Sequence, residues 1–305
     1  MPLVHDLRCA TIESAPGDSP MTQRFSRRMA LKVAAGAVAA ATPAWADESA
    51  KANGRLNQSI CRWCYNKIPL EKLAQEAVRI GYKSIELLSP SEVLKIKPFG
   101  LTCAVLHVAG SLNISNCLNR LGNHDKIEKE LRAGIDFAAA EGLPNIICFS
   151  GNRKGMDDGE GLKNCAIGLK RVVGYAEEKK VTVIMELLNS KVDHKDYMCD
   201  RTPWGVELCK AVGSSRFKLL YDIYHMQIME GDVIRTIRQY KEHLAHFHTG
   251  GVPGRNEIDD TQELNYSTVC KAIVDSGFTG YLAQEFIPKR DPIASLAQGF
   301  KICDV

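Results

Sequence analysis

The sequence predicts one closed barrel of eight strand–helix units, a (β/α)8 fold. Three observations point to it. Between residues 57 and 305, short β-branched or apolar runs alternate eight times with amphipathic stretches of helical length, the pattern of a parallel sheet with crossover helices. That span is close to the ~250 residues such a barrel occupies. No Gly-rich phosphate turn follows the first run, and no linker or shift of composition divides the span. Both features argue against a doubly wound open sheet and against a second domain.

Taken in order, the first strand is expected at 59–63 and its helix at 70–80, closed by Gly81. The second strand, 84–88, leads into a short helix near 91–96. The third, 102–108, precedes a long helix at 124–140 with Gly142 just beyond it. The fourth strand lies at 145–149 with a helix over 161–179, and the fifth at 181–185 with a helix over 203–212 that stops at Gly213. The sixth, 217–221, is followed by a helix at 233–240. The seventh, 244–247, is followed by a helix at 266–275 and then Gly277. The eighth, 281–283, is followed by a last helix at 293–302.

Composition fits that plan. Hydrophobic residues make up 45%, charged residues 25% and aromatic residues 7% of the chain. This is ample for one large core and excludes a disordered chain, a collagen-like repeat and a small disulfide scaffold. Lys and Arg number 39 against 36 Asp and Glu, and five of those bases and three of those acids lie in residues 1–46. The remainder is within one charge of neutrality, which gives no electrostatic reason to expect nucleic acid or anionic lipid as a partner.

The N-terminus reads as an address. Arg24, Arg27 and Arg28 precede a short run of small apolar residues at 33–41, and Ala44-Trp45-Ala46 has the small-x-small form of a cleavage site. Ser26-Arg27-Arg28-Met29-Ala30-Leu31-Lys32 resembles a twin-arginine export motif, with Ala30 where Phe is usual. Residues 1–20 are read as an upstream extension before a start at Met21, 21–46 as the signal, and 47–56 as a polar leader. The apolar run is too short to span a ~30 Å hydrocarbon core, so no stable membrane insertion is expected once the signal is removed. The expected location is the periplasm, reached by a protein already folded, so that any metal can be loaded in the cytoplasm. Ten of the eleven cysteines follow Ala46 at irregular spacings, and burial as thiols is expected for them. Cys61-Arg62-Trp63-Cys64 has redox-type spacing, but no second such pair or redox context accompanies it.

Function is sought at the C-terminal ends of the strands, where such barrels carry their sites. The fifth run ends in Glu186, the sixth in Asp222 with His225 three residues on, the seventh in His246-Phe247-His248, and the eighth in Glu285. Four consecutive strands thus deliver Glu, Asp, His and Glu to one rim. Crowded carboxylates repel one another and resist ionisation, and a divalent cation removes that cost. One imidazole and three carboxylates suit Mn²⁺, Mg²⁺ or Co²⁺. Of His246 and His248, only one is expected at the mouth and the other packed or at the surface. Trp63, Glu86, His107 and Asn152 stand at or just past the first four strands. His107 could donate to a substrate oxygen or be structural, Glu86 could pair with a buried cation, and Trp63 could wall the pocket or fill the core. Arg255, on a turn-rich loop, is either a fork for substrate oxygens or a surface residue.

Tyr221-Asp222-Ile223-Tyr224-His225-Met226-Gln227 with Glu230-Gly231-Asp232, Pro253-Gly254-Arg255-Asn256-Glu257, Glu263-Leu264-Asn265-Tyr266 and Glu186-Leu187-Leu188-Asn189 resemble the hydroxypyruvate isomerase family of the xylose isomerase-like TIM barrels. The resemblance covers nearly all of 57–305, and 221–232 is its most specific block. It implies Glu186 and Glu285 as the acid/base pair, with Asp222 and position 248 completing the metal site. Two positions depart from it: the family usually has Gln where His248 stands, as the ketose 3-epimerases of the superfamily do not, and tends to have Pro at Leu187.

The activity expected is interconversion of neighbouring carbonyl and hydroxyl carbons of a small sugar or hydroxy-keto acid through an enediolate. One Glu removes a proton and the other returns it, with His225, Arg255, His107 and Trp63 around the substrate. A keto-polyol dehydratase on the same site and a non-catalytic exported sugar-binding barrel are the alternatives. A homo-oligomer is compatible with the sequence.

Overall fold

The computed structural model describes residues 53–305 apart from Ala109 and Ser111. The expected extension, export signal and most of the polar leader lie outside the described residues. Eight strands follow one another around the barrel: β1 (Asn57–Cys61), β2 (Ser84–Glu86), β3 (Val105–Leu106), β4 (Asn145–Cys148), β5 (Thr182–Glu186), β6 (Phe217–Asp222), β7 (Leu244–Thr249) and β8 (Tyr281–Gln284). Their order is β2-β1-β8-β7-β6-β5-β4-β3, every pairing parallel. The two ends of that order meet through isolated bridges, Ser84 with Thr102 and Leu88 with Leu106. Main-chain bonds from Leu87 N to Val105 O (2.8 Å) and His107 N to Leu88 O (3.1 Å) close the seam. Ser84 Oγ adds to it by accepting from Ala104 N at 2.8 Å. The third strand is therefore shorter than the 102–108 expected, most of that run being held by single bridges.

The helices are α1 (Leu70–Ile80), α2 (Pro90–Ile96), α3 (His124–Glu141), α4 (Asp158–Lys170), α5 (Val173–Lys179), α6 (Thr202–Val212), α7 (Ile223–Met229), α8 (Val233–Tyr240), α9 (Tyr266–Asp275) and α10 (Pro292–Cys303). Local chemistry sets several boundaries. Ser89 and Glu92 form a reciprocal capping box at α2. Asp157 accepts from Gly159 N and Glu160 N at the start of α4, and Asp291 accepts from Ile293 N and Ala294 N ahead of Pro292 at α10. Gly81 and Gly213 end α1 and α6 in the left-handed conformation that glycine adopts without strain.

Two expectations about helices are corrected. The single helix expected over 161–179 is two, α4 and α5, because Val172 leaves helical geometry at φ −120°, ψ −24°. The break lets the consecutive Val172 and Val173 both enter the core, which one straight helix facing the sheet does not allow. Helix α7 was not expected at all. Its sequence, Ile-Tyr-His-Met-Gln-Ile-Met, is apolar nearly all round, and five of its seven residues are buried, Gln227 and Ile228 being partly exposed. A buried helix lacks the periodic signal by which an amphipathic one is read.

The core is continuous from the barrel interior to the helix layer, with Ile60, Ile85, Leu106, Ile146, Ile184 and Leu220 fully buried. All ten cysteines of the described region are free thiols and all but Cys64 are buried, as expected of small core hydrophobes. Among the described residues no helix is long and apolar enough to cross a membrane.

Candidate active site

The C-terminal ends of β5 to β8 converge as the spacing predicts. In register, Asp222 stands beside His248, and His248 beside Ala283. Glu285 follows β8 directly, and its N–H donates to Thr249 O at 3.2 Å, which extends the β7–β8 pairing past the strand. Asp222 is both the last residue of β6 and the N-cap of α7: its Oδ1 accepts from His225 N at 3.0 Å, leaving Oδ2 to face the mouth. Glu186, Asp222, His248 and Glu285 are all buried, and one ligand atom from each lies within 4.8 Å of the other three.

The arrangement of those atoms suits a cation. His248 donates from Nε2 to the Glu86 carboxylate at Oε1, 2.9 Å away, so Nδ1 is the ring nitrogen left to face the rim. Nδ1 lies 3.3 Å from Glu186 Oε1 and 2.7 Å from Glu285 Oε2. Yet His248 Nδ1 and Glu186 Oε1 are buried without any hydrogen-bond partner. The four residues bring their ligand atoms within 4.8 Å of one another, an arrangement that could hold a cation. Burial pushes Asp222 up to about 8 against the pull of Arg255. Burial also raises Glu186 against the pull of His248, and the neighbouring Glu285 adds to the rise. Three carboxyls this close need a compensating charge, and the nitrogen-plus-three-oxygen set fits a divalent ion such as Mn²⁺, Mg²⁺ or Co²⁺.

Arg255 supplies part of the positive charge from the side. Its Nη2 donates to Asp222 Oδ2 at 3.0 Å and Glu285 Oε2 at 2.5 Å, and its Nη1 donates to His225 Nε2 at 2.6 Å. Its guanidinium lies over Tyr224 and Trp63, 5.0 and 5.4 Å from the ring centroids. The turn that carries it is tight. Arg255 has φ +56°, Gly251 N donates to Asn256 O at 2.8 Å, and a Cβ on Gly251 would sit 2.3 Å from the Glu257 carbonyl oxygen. Arg255 is thus a buried part of the site, not a surface residue. Burial opposes ionisation of Glu285, but Arg255 and His248 outweigh it and hold that carboxyl well below the usual range. Trp63 Nε1 donates to Glu285 Oε1 at 2.6 Å, so Trp63 walls the pocket and does not fill the core.

His246 corrects the expectation that only one of the two histidines points inward. Residues two apart on a strand share a face. Both rings are fully buried 5.2 Å apart, and His246 donates from Nε2 to the same Glu86 Oε1 at 2.8 Å. Burial opposes it, but the two imidazoles hold the Glu86 carboxyl down at about 2. Glu86 does pair with buried cationic or donor groups, and they are these histidines. Cys61 Sγ lies 3.6 Å from His248 Nε2, but burial pushes its thiol well above the ordinary value, so it is a weak donor for a metal.

His225 is fully buried, with Nδ1 2.6 Å from Asn189 Nδ2, and burial holds it well below its ordinary value, hence neutral. An inner cavity of about 370 Å³ brings together Glu186, Glu285, His225, Arg255, His107 and Trp63. Asn152 lies farther out. Asn189 and His194 are participants that the strand-end rule misses, because both sit on the loop after β5. Asn189 stood within a recognised motif, whereas nothing marked His194.

A family model described as the xylose isomerase-like TIM barrel matches residues 74–303. The chain belongs to that family. Within the xylose isomerase-like barrels, hydroxypyruvate isomerase of Escherichia coli is 24% identical over 241 residues, 73% of this chain and 89% of that protein. A structure of an AP endonuclease, family 2, from Brucella melitensis superposes with a TM-score of 0.70 at 21% identity, covering 80% of this chain and 97% of that one. The 3-keto-D-glucoside 4-epimerase of Escherichia coli superposes with a TM-score of 0.67 at 15% identity, covering 81% and 100%. At such identities the structural likenesses speak for the fold alone.

Proposed function

We propose that the protein is a divalent-metal-dependent isomerase or epimerase of a small sugar or hydroxy-ketone. The observation that carries this is the pair Glu186 and Glu285 on the two sides of His248 Nδ1, both lining the inner cavity. The hydroxypyruvate isomerase name of the Escherichia coli relative supports it. A barrel that only bound sugar would not need two such carboxyls at the reacting end.

Glu186, Asp222, His248 and Glu285 would hold the ion, which when bound polarises a substrate carbonyl and makes the neighbouring C–H more acidic. One of Glu186 and Glu285 removes that proton, and the other returns one, to the adjacent carbon or the opposite face. The free Oε1 of Glu186 is not tied to any other group. Trp63 and Arg255 fix Glu285 in place and keep it ionised. Arg255 holds a substrate oxygen, neutral His225 accepts from Arg255 and steadies it, and Ile147, Phe149 and Leu188 keep water from the reacting carbon. Residues 21–46 alone support placing this activity outside the cytoplasm.

Hydrogen exchange tests the proposal. Protein stripped with EDTA and reloaded with Mn²⁺ is incubated with a panel of ketoses and hydroxy-keto acids in D₂O. Deuterium is expected on the carbon beside the carbonyl of at least one substrate, only after reloading. No exchange with any member of the panel would overturn it.

A further inference from the structure

The inner cavity does not end at the reacting groups. It opens onto an outer cavity of about 660 Å³ among the loops that follow β3, β4 and β5. His107, Ile114, Phe149 and His194 line both. At ~30 Å³ per water, the inner cavity alone has room for roughly twelve water-sized groups. A three-carbon hydroxy-keto acid has only roughly seven non-hydrogen atoms, so even the inner space exceeds it.

The junction is built for hydroxyl groups. Neither ring of His107 or His194 makes a hydrogen bond to another described residue, and both face the two cavities. Burial lowers both imidazoles from their ordinary value, so each offers one N–H donor and one acceptor at neutral pH. Ser115 and Asn152 add further neutral polar groups. Among the described residues of the outer wall the charges are Asp193 and Lys195, of opposite sign, and Asp193 accepts from Asn189 Nδ2 and Tyr224 OH at 2.7 and 2.8 Å. Nothing there concentrates positive charge for a phosphate or carboxylate.

We infer that the outer cavity is a second sugar subsite: the ligand is a keto-sugar bearing an uncharged glycosyl unit, its keto end at Glu186 and Glu285 and its second ring between His107, His194 and Asn152. This rests on the inner cavity being a keto-sugar site. The apolar band of Ile114 and Phe149 between the cavities meets the C–H faces of the two units, and the polar rim meets their hydroxyls.

Calorimetric titration of the full chain, loaded with Mn²⁺, tests this with D-fructose, its glycosides isomaltulose, turanose and lactulose, and D-fructose 6-phosphate. At least one glycoside is expected to bind about tenfold tighter than D-fructose. Ser115 is exposed and lines only the outer cavity, so Ser115→Trp should bring that glycoside to within about twofold of D-fructose, with circular dichroism confirming the fold. Glycosides that bind no tighter than D-fructose, or not at all, would overturn the subsite. So would a preference that survives Ser115→Trp in folded protein, or D-fructose 6-phosphate as the tightest ligand. Binding is read without turnover, so absence of hydrogen exchange would sink the proposed activity while leaving this comparison decisive by itself.

Discussion

His248 and Glu86 are joined by a fully buried hydrogen bond of 2.9 Å from Nε2 to Oε1, and that bond decides which ring nitrogen faces Glu186, Asp222 and Glu285. A carboxylate behind a ligating imidazole holds its tautomer and orientation, and loss of such a partner typically weakens metal affinity ~10–100-fold. Glu86→Gln keeps the shape but lets the amide present either an oxygen or an NH₂ to the ring. Affinity for Co²⁺, followed by its absorption spectrum, is expected to fall within that range while the fold persists. Wild-type affinity would mean that the tautomer is set elsewhere.

Replacing Glu186 or Glu285 with Gln should abolish nearly all turnover and leave the fold unchanged. General acid–base assistance is typically worth ~10²–10⁴-fold, and weaker metal binding adds to the loss. Deuterium uptake per unit time, together with a thermal melt, measures both. A kcat near that of the wild type in either variant would refute the shared role.

His248→Gln and His246→Gln separate a ligand from its support. In the first, an amide oxygen still suits a hard cation, so Co²⁺ should lose more affinity than Mg²⁺, because imidazole nitrogen favours the softer ion. In the second, the ligand set stays whole and only one of the two donors to Glu86 Oε1 changes, so both metals should lose less. Competitive titration of the two ions decides it, and a larger loss in His246→Gln would reverse the assignment.

Glu257 makes a pH prediction away from the metal ligands. Its Oε1 accepts from Lys289 N and Arg290 N at 3.0 Å each and from Ser295 Oγ at 2.9 Å, tying the Arg255 loop to the segment ahead of α10. Burial pulls the carboxyl up, but these bonds outweigh it and hold it below its ordinary value of 4.5. A depressed carboxyl stabilises the folded chain above its unfolded value, and that stabilisation fades as the pH falls through the folded one. Glu257→Gln should therefore cost about 1–3 kcal/mol near neutrality, the range for hydrogen bonds to a charged group. The gap in Tm between variant and wild type should narrow as the pH drops below 4.5. A gap that stays constant with pH would exclude a role for the charge.

Residues 21–46 predict export and cleavage. The mature chain should begin near Asp47, and Arg27→Lys with Arg28→Lys should leave it in the cytoplasm. N-terminal sequencing of periplasmic protein checks the first, and fractionation of the double variant the second. An exported chain that still begins at Met21 would count against cleavage.

The rim cluster was legible because a parallel barrel turns strand order into position. Glu186, Asp222 and Glu285 each close an apolar run, and one β/α unit separates each from the next, so a shared rim follows from topology. The pairing of His246 with His248 was equally available, since the two-residue period of a strand puts both on one side, and the expectation misapplied that period. Helix α7 escaped because burial of most of its surface erases amphipathic rhythm. The outer cavity and His194 escaped for another reason: loops after β3, β4 and β5 carry no periodicity, and where they meet depends on contacts such as Arg153 N to Asp196 O that no local pattern announces.

The thin seam between β2 and β3 makes this barrel mechanically uneven. The other neighbours pair as strands, but here the hoop hangs on isolated bridges, four main-chain bonds and one serine hydroxyl. Local opening is drawn from regions with the fewest cooperative bonds, so the amides of Ile85, Leu87, Thr102 and His107 should exchange with solvent ahead of those in β5 and β6. His107 is also where the wall of the outer cavity begins, so breathing at this stave widens the entrance without disturbing β5 to β8, whose ends hold Glu186, Asp222, His248 and Glu285.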